Sequence, residues 1–303
     1  MKISLDALEI LDAIDTRGSY AAAAQALFRV PSALTHAVQK LEDELGVELF
    51  EKSGRRAVLT PAGRTLLEDG RQLLQAAGEL ERRVKRVATG WETDLAIALD
   101  VVIPAERLNP LLQRFYAEAG GTRLRLSYEV LGGCWDALTT GRADLVIGAP
   151  GDRPPRSGIA TRPLGEMQLV FCVAPDHPLA QAAEPIAPEL LAQHRAVVLA
   201  DTSRELAART SGLLEGQDAL RVPDMVAKAA AQAAGLGVGH LPRWLADREQ
   251  AAGRLLIRRL AEVKPTAPMY VAWRPRDEGR ALHWFLRELE KPEVTATLMA
   301  GLV

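Results

Sequence analysis

Residues 21–67 read AAAAQALFRVPSALTHAVQKLEDELGVELFEKSGRRAVLTPAGRTLL, and the periodicity of this stretch decides how the whole chain is organised. Leu34, Val38, Leu41 and Leu45 recur at helical spacing behind Pro31, which suits the first turn of a helix, and Gly46 closes the stripe. Upstream, Tyr20, Ala23, Ala24, Leu27 and Phe28 share one face of a short helix whose alanines admit a close neighbour. Ala7, Leu8, Leu11 and Ile14 mark a helix before it, ended by Gly18-Ser19. Three small helices sharing one core are expected. The opposite face of the third carries Ser32, Thr35, His36, Gln39 and Lys40 with few acids, groups that address base edges or phosphates when a helix lies in a major groove.

Residues 48–60 add a second point of contact. ELFEKSGRRAVLT reads as two short strands around Ser53-Gly54, a wing with Arg55 and Arg56 at or near its tip, placed to reach flanking phosphate or the minor groove. Thr60-Pro61 then caps and opens a long helix. Leu66, Gly70, Leu73, Ala77, Leu80, Val84 and Val87 step along it by fours and threes, a heptad seam that asks for a partner, and a second copy of the chain is the natural one. Gly70 and Gly78 each weaken such a helix by roughly 1 kcal/mol relative to alanine, so a helix able to bend is expected. Residues 1–90 hold 13 Lys+Arg and 13 Asp+Glu, so one copy should hold DNA weakly and two half-sites should be engaged together.

The AA-x-x-L opening, the LE-x-x-LG-x-x-LF centre and the LT-x-x-G ending of residues 21–67 stand in the register of the winged helix-turn-helix of LysR-type transcriptional regulators, which this stretch resembles. The pattern departs at the start of the third helix, where Val30, followed by Pro31 and Ser32, stands in place of the usual serine. The resemblance implies a DNA-binding regulator in which Thr35, His36 and Gln39 read bases while Ser32, Lys40, Arg55 and Arg56 meet phosphate or the minor groove. It also implies a homo-oligomer, a tetramer, on double-stranded promoter DNA.

Beyond Gly90 the periodicity changes. DLAIALD, a helix around Leu108 to Phe115, TRLRLSYEV, a helix from about Cys134 to Thr140 and ADLVIGA alternate as strand and helix, which implies a parallel sheet. LVFCVA begins a second series, with helices expected near 188–193, 204–214 and 225–234 and strands at AVVLA, 219–222 and VGHLP. A strand at Met269–Trp273 and a helix at Arg280–Leu289 are placed to complete the first unit, with crossings near Arg162-Pro163-Leu164 and Pro265-Thr266-Ala267-Pro268. The fold class expected is therefore α/β: a winged helix-turn-helix over 1–60, a linker helix over 61–90, and a two-lobed effector domain over 91–303 that resembles the periplasmic-binding-protein-like domain of the same family. Lobe I would hold about 91–163 and 268–303, and lobe II about 164–267.

Ligands of two-lobed α/β domains sit beyond the carboxyl ends of the strands, near helix N-termini. That rule selects Asp100, Val101 and Val102, then Gly132, Gly133 and Trp135, then Gly148, and from the other lobe Asp201, Thr202, Ser203 and His240. Carboxylates at Asp100 and Asp201 would repel an anion. A small-molecule effector bearing hydroxyl or amine donors, with an aromatic body stacked near Trp135, is the expectation; the alternative is that both aspartates only cap the helices after them.

The chain of 303 residues is 48% hydrophobic and 25% charged, which excludes a disordered or collagen-like protein, and its formal net charge of -2 gives no global field for a polyanion. Cys134 and Cys172 cannot make a disulfide framework and fit a reducing compartment. MKISLDALEILDAID carries acids within its apolar pattern, so neither a signal peptide nor a membrane span is read there, and a cytoplasmic protein is expected. The five histidines lack zinc spacing, no catalytic motif or cofactor fingerprint appears, and no metal or cofactor is expected. Two rivals remain: an oxidant sensor using Cys134, whose place near a helix start can lower a thiol pKa, and a non-DNA-binding α/β solute-binding protein or enzyme with a helical dimerisation head.

Overall fold

Ser4 and Ser19 each accept a backbone N–H from three residues on, Ala7 at 3.1 Å and Ala22 at 3.2 Å, and so open helices α1 (Leu5–Arg17) and α2 (Tyr20–Ala26). Gly18, at φ 73°, turns the chain out of α1 in the left-handed region, and Gly46, at φ 75°, does the same after α3 (Pro31–Leu45). Leu11, Ile14, Ala23, Ala24, Leu34, Val38 and Leu41 pack into one core closed below by Leu49, Leu59 and Leu67. Strands β1 (Phe50–Ser53) and β2 (Arg56–Leu59) pair antiparallel with Phe50 opposite Leu59. The computed structural model describes residues 2–53, 56–118, 121–151, 153–154, 158–262, 264–275 and 279–302.

Phe28 does not share the buried face of α2. That helix ends at Ala26, and Phe28 sits in the turn beyond it at φ 54° with 96% of its surface exposed, because the tight passage into α3 needs a left-handed residue there. The long helix α4 (Pro61–Thr89) begins where Thr60 Oγ1 accepts the Gly63 N–H at 3.0 Å. A Cβ on Gly63 would stand 2.1 Å from the Leu49 carbonyl oxygen, so glycine is required for α4 to lie on that chain. Gly70 plays a similar part against Leu8, whose Cδ2 would lie 2.7 Å from an added Cβ, so it serves close packing rather than bending. The expected seam divides accordingly: Gly70 is buried and Leu66 half-buried in the head, whereas Leu73, Leu80 and Val84 are exposed. The Val87 side chain lies outside the described residues.

By their contacts the residues form two units, Met1–Val84 and Lys85–Val303, with α4 running through the division. In the second unit β3 (Asp94–Asp100) pairs in parallel with β4 (Arg123–Glu129) and with β5 (Leu145–Pro150). The last strand, β12 (Ala267–Trp273), returns antiparallel between β5 and β6 (Ala160–Met167), giving the order β4-β3-β5-β12-β6. Arg162, Pro163 and Leu164, expected at a crossing, are thus inside β6 of this first sheet, and the chain leaves it only after Met167. Around it lie α5 (Asn109–Glu118), α6 (Gly133–Thr139), α10 (Arg280–Glu288) and an unforeseen α11 (Pro292–Met299). Phe115 joins α5 to α10, with ring centroids 5.2 Å from Trp284 and 4.8 Å from Phe285.

The second lobe has β7 (Leu169–Val173) between β10 (Gly239–Pro242) and β11 (Leu256–Arg258), all antiparallel, beside a parallel pair β8 (Ala196–Leu199) and β9 (Ala219–Val222). Helices α7 (Pro188–Leu191), α8 (Met225–Ala233) and α9 (Arg243–Ala251) cover them. The helix expected near 204–214 is absent, since that segment is irregular. Its backbone N–H groups serve carboxylates elsewhere: Glu205 and Leu206 donate to Asp136 at 2.9 and 2.8 Å, and Arg209 to Asp201 at 2.6 Å.

Candidate nucleic-acid interface and ligand cavity

On α3 the buried stripe of Leu34, Val38 and Leu41 leaves Ser32, Thr35, His36, Gln39 and Lys40 exposed on the other side. Thr35 Oγ1 donates to the Pro31 carbonyl at 3.1 Å, and Lys40 makes only a 4.0 Å approach to Glu44, so the face is open to an incoming partner. Val30 leaves α3 without a side-chain cap, so the first N–H groups of the helix are unclaimed by any side chain of that residue. Arg55 lies outside the described residues; Arg56 opens β2, and its side chain also lies outside them.

In the second unit the carboxyl ends of β3, β4 and β5 meet α8 and β10 around a cavity of about 50 Å³, which shares Leu131, Leu169, Ser211 and Lys264 with a neighbouring one of about 200 Å³. Asp100, Val101, Val102 and His240, selected from the sequence, line it together with Leu131, Leu169, Ser211, Met225, Lys228 and Lys264. Asp100 is buried, accepts the Val102 N–H at 3.0 Å and receives the Cys134 thiol at 3.5 Å. Burial pushes its carboxyl up to about 7, against the pull of those two donors, so near neutrality much of it carries no charge. His240 is driven down to about 3 by burial and by Lys264 and Lys228, and stays neutral.

The other selected residues do different work. Asp201 accepts N–H groups from Gly132 and Gly133, both at 3.1 Å, and from Ser203 at 2.8 Å and Arg209 at 2.6 Å, while the Ser203 hydroxyl donates to it at 2.7 Å. Burial works to raise its pKa, and these donors outweigh it, so Asp201 is a committed anion that ties the irregular segment to the start of α6. Thr202 belongs to the same clasp, donating to Glu129 and accepting the Val130 N–H at 2.9 Å. The position of Gly148 is one of packing: at φ 89°, a Cβ there would stand 2.6 Å from Ile103. Trp135 is 0% exposed, with Nε1–H donating to the Pro150 carbonyl at 2.9 Å, so it offers no face for an aromatic ligand. The grounds for expecting a donor-bearing aromatic effector therefore fall away: one carboxylate is engaged, the other is largely neutral, and the tryptophan is in the core.

Nor does the start of α6 activate Cys134. Burial, then Asp100, Glu129 and Asp201, push that thiol well above its ordinary value, and burial raises Cys172 to about 12. Among the described residues no group of three or more His, Cys, Asp or Glu could hold a metal ion, and no helix is long and apolar enough to cross a membrane.

Two sequence profiles match the chain: the bacterial regulatory helix-turn-helix protein, lysR family, over residues 5–64, and the LysR substrate binding domain over residues 88–292. The chain belongs to the LysR family. This LysR-type DNA-binding regulator is 41% identical over 289 residues to the uncharacterized HTH-type transcriptional regulator YeeY of Escherichia coli K12, across 95% of this chain and 94% of YeeY. It is 42% identical over 291 residues to the probable HTH-type transcriptional regulator YhaJ of the same organism, across 95% and 96% of the two chains. Its fold is that of the probable transcriptional regulator PA0477 from Pseudomonas aeruginosa, with a TM-score of 0.58 at 23% identity over 95% of this chain and 96% of that one. It is also that of full-length CbnR solved with its target DNA, with a TM-score of 0.59 at 21% identity over 95% and 99%. These are the sequence and architecture of transcriptional regulators, not of enzymes.

Sequence reasoning missed Lys228, Lys264 and Ser211 in the cavity of this LysR-type chain. A signal for the first was present: in MVAKAAAQA, Lys228 falls on the face that Met225, Ala229 and Gln232 bury, a lysine where the helix pattern asks for an apolar residue.

Proposed function

We propose that this LysR-type regulator reads operator DNA through Thr35, His36 and Gln39 and grips phosphate through Ser32, Lys40, Arg55 and Arg56, as a cytoplasmic tetramer paired through α4. A small effector held between the lobes changes their closure and the spacing of the DNA-binding heads. An effector shifts that balance only through different affinity for the two arrangements. The observation that carries the reading is the single-sided burial of α3, whose polar face is exposed along Ser32, Thr35, His36, Gln39 and Lys40 while its apolar face anchors the head.

The test is fluorescence anisotropy with duplexes selected from a random pool by the full-length protein. Gln39→Ala is expected to lose about 1–3 kcal/mol at one base position and to relax preference there. Lys40→Ala should weaken all duplexes alike and lower the salt slope by about 1. Unchanged affinity and salt slope in both variants overturn the assignment of this face.

A further inference from the structure

Within the cavity Lys228 has no counter-ion among the described residues. Lys228 is 6% exposed, lines the cavity from α8, and makes no side-chain hydrogen bond or ion pair among the described residues. A Cβ on Gly239 would lie 3.5 Å from Lys228 Cε, an ordinary contact distance, so the lysine stem runs beside the start of β10. Lys264 enters the same cavity and donates to the neutral hydroxyl of Ser211. A Cβ on Gly212 would lie 3.7 Å from Lys264 Nζ and 3.3 Å from His240 Nδ1, so the second lysine and the neutral histidine meet at one corner. Asp100, the acid among the described lining residues, has its oxygens on the Val102 N–H and the Cys134 thiol. A buried ammonium lacking an opposite charge is among the least favourable arrangements in a protein, and here it lines a cavity of about 50 Å³ that adjoins one of about 200 Å³ at Leu131, Leu169, Ser211 and Lys264. The rest of the lining is largely apolar, with Val102, Leu131, Leu169 and Met225 prominent.

We propose that the cavity takes a small organic anion, its carboxylate seated between Lys228 and Lys264 and its apolar body laid against Val102, Leu131, Leu169 and Met225. The proposal deepens the effector-sensing reading and rests on it. Burial together with Lys264 brings Lys228 down to about 7, and an arriving carboxylate restores its full charge.

The experiment is calorimetric titration and thermal unfolding of the full-length protein with matched pairs of probes: benzoate and benzamide, phenylacetate and phenylacetamide, hexanoate and hexanamide. At least one carboxylate is expected to bind ten-fold or more tightly than its amide, and Lys228→Met to remove that preference. The ligand-free Lys228→Met variant should unfold at a higher temperature than the wild type, which shows that it is folded. Ser211→Trp, which fills the mouth, should abolish binding of every probe. Equal binding of acids and amides, abolished by Ser211→Trp, overturns the anion while keeping the cavity as a ligand site. Binding that survives both variants overturns the cavity itself. No carboxylate response in the wild type beyond that of Lys228→Met also overturns the proposal.

Discussion

Asp100 and Lys228 face one cavity from opposite lobes, and burial moves each to about 7, from below and from above. The raised carboxyl has a direct consequence for stability. Between the ordinary aspartate value and about 7 the folded chain holds a proton that the unfolded chain has lost, so stability falls as pH rises through that window. Asp100→Asn lacks this penalty and keeps an acceptor for the Val102 N–H. Its melting temperature should exceed that of the wild type by a margin that grows from pH 5 to pH 8, as followed by circular dichroism; a margin that shrinks would refute the assignment. At this scale the sequence located Asp100 because the end of a parallel strand is a position that topology fixes. It misjudged Asp201 and Trp135 because a hydrogen-bond partner 69 positions away, or a carbonyl on the next strand, leaves no periodic trace.

Among the elements, α4 makes a sharp statement. Leu73, Leu80 and Val84 are more than half exposed along one helix, a cost in apolar surface that only a covering partner removes. Leu80→Asp should shift the protein to a smaller species in light scattering and lower DNA affinity at least ten-fold, through loss of the linked second half-site. A variant that keeps both its mass and its affinity would place the pairing surface elsewhere. The seam itself was readable from spacing alone. What spacing did not reveal is that its first positions serve the head: Gly70 is committed to Leu8, so the helix changes from intrachain to open packing partway along. The helix wrongly expected near 204–214 teaches the converse. Its apolar residues repeat suitably, but the distant Asp136 and the nearby Asp201 take backbone N–H groups from the segment and hold it irregular.

Across the larger unit, those same carboxylates bind one lobe to the other. Arg142 bridges Glu129 and Asp136, the latter at 2.9 Å with a side chain 0% exposed, and Asp136 in turn receives Glu205 and Leu206 from the second lobe. Arg142→Ala leaves two buried acids without their cation and should cost about 3–5 kcal/mol in chemical denaturation. Faster amide exchange at Glu205 and Leu206 should accompany it. Stability loss without that exchange signature would mean that the arginine acts on its own lobe only. The two-lobed plan was readable because strands and helices alternate. The exact point of crossing was not, since β6 lacks the apolar alternation of a core strand: only Leu164 and Met167 in it are buried.

The insertion of β12 between β5 and β6 bears on how the gene tolerates damage. A premature stop just ahead of residue 267 would spare every residue of the cavity wall supplied by α8 and β10, yet it would unzip the middle of a sheet and bare two unpaired edges at once. Such fragments are expected in inclusion bodies, and supplying the missing tail as a separate peptide should return them to the supernatant.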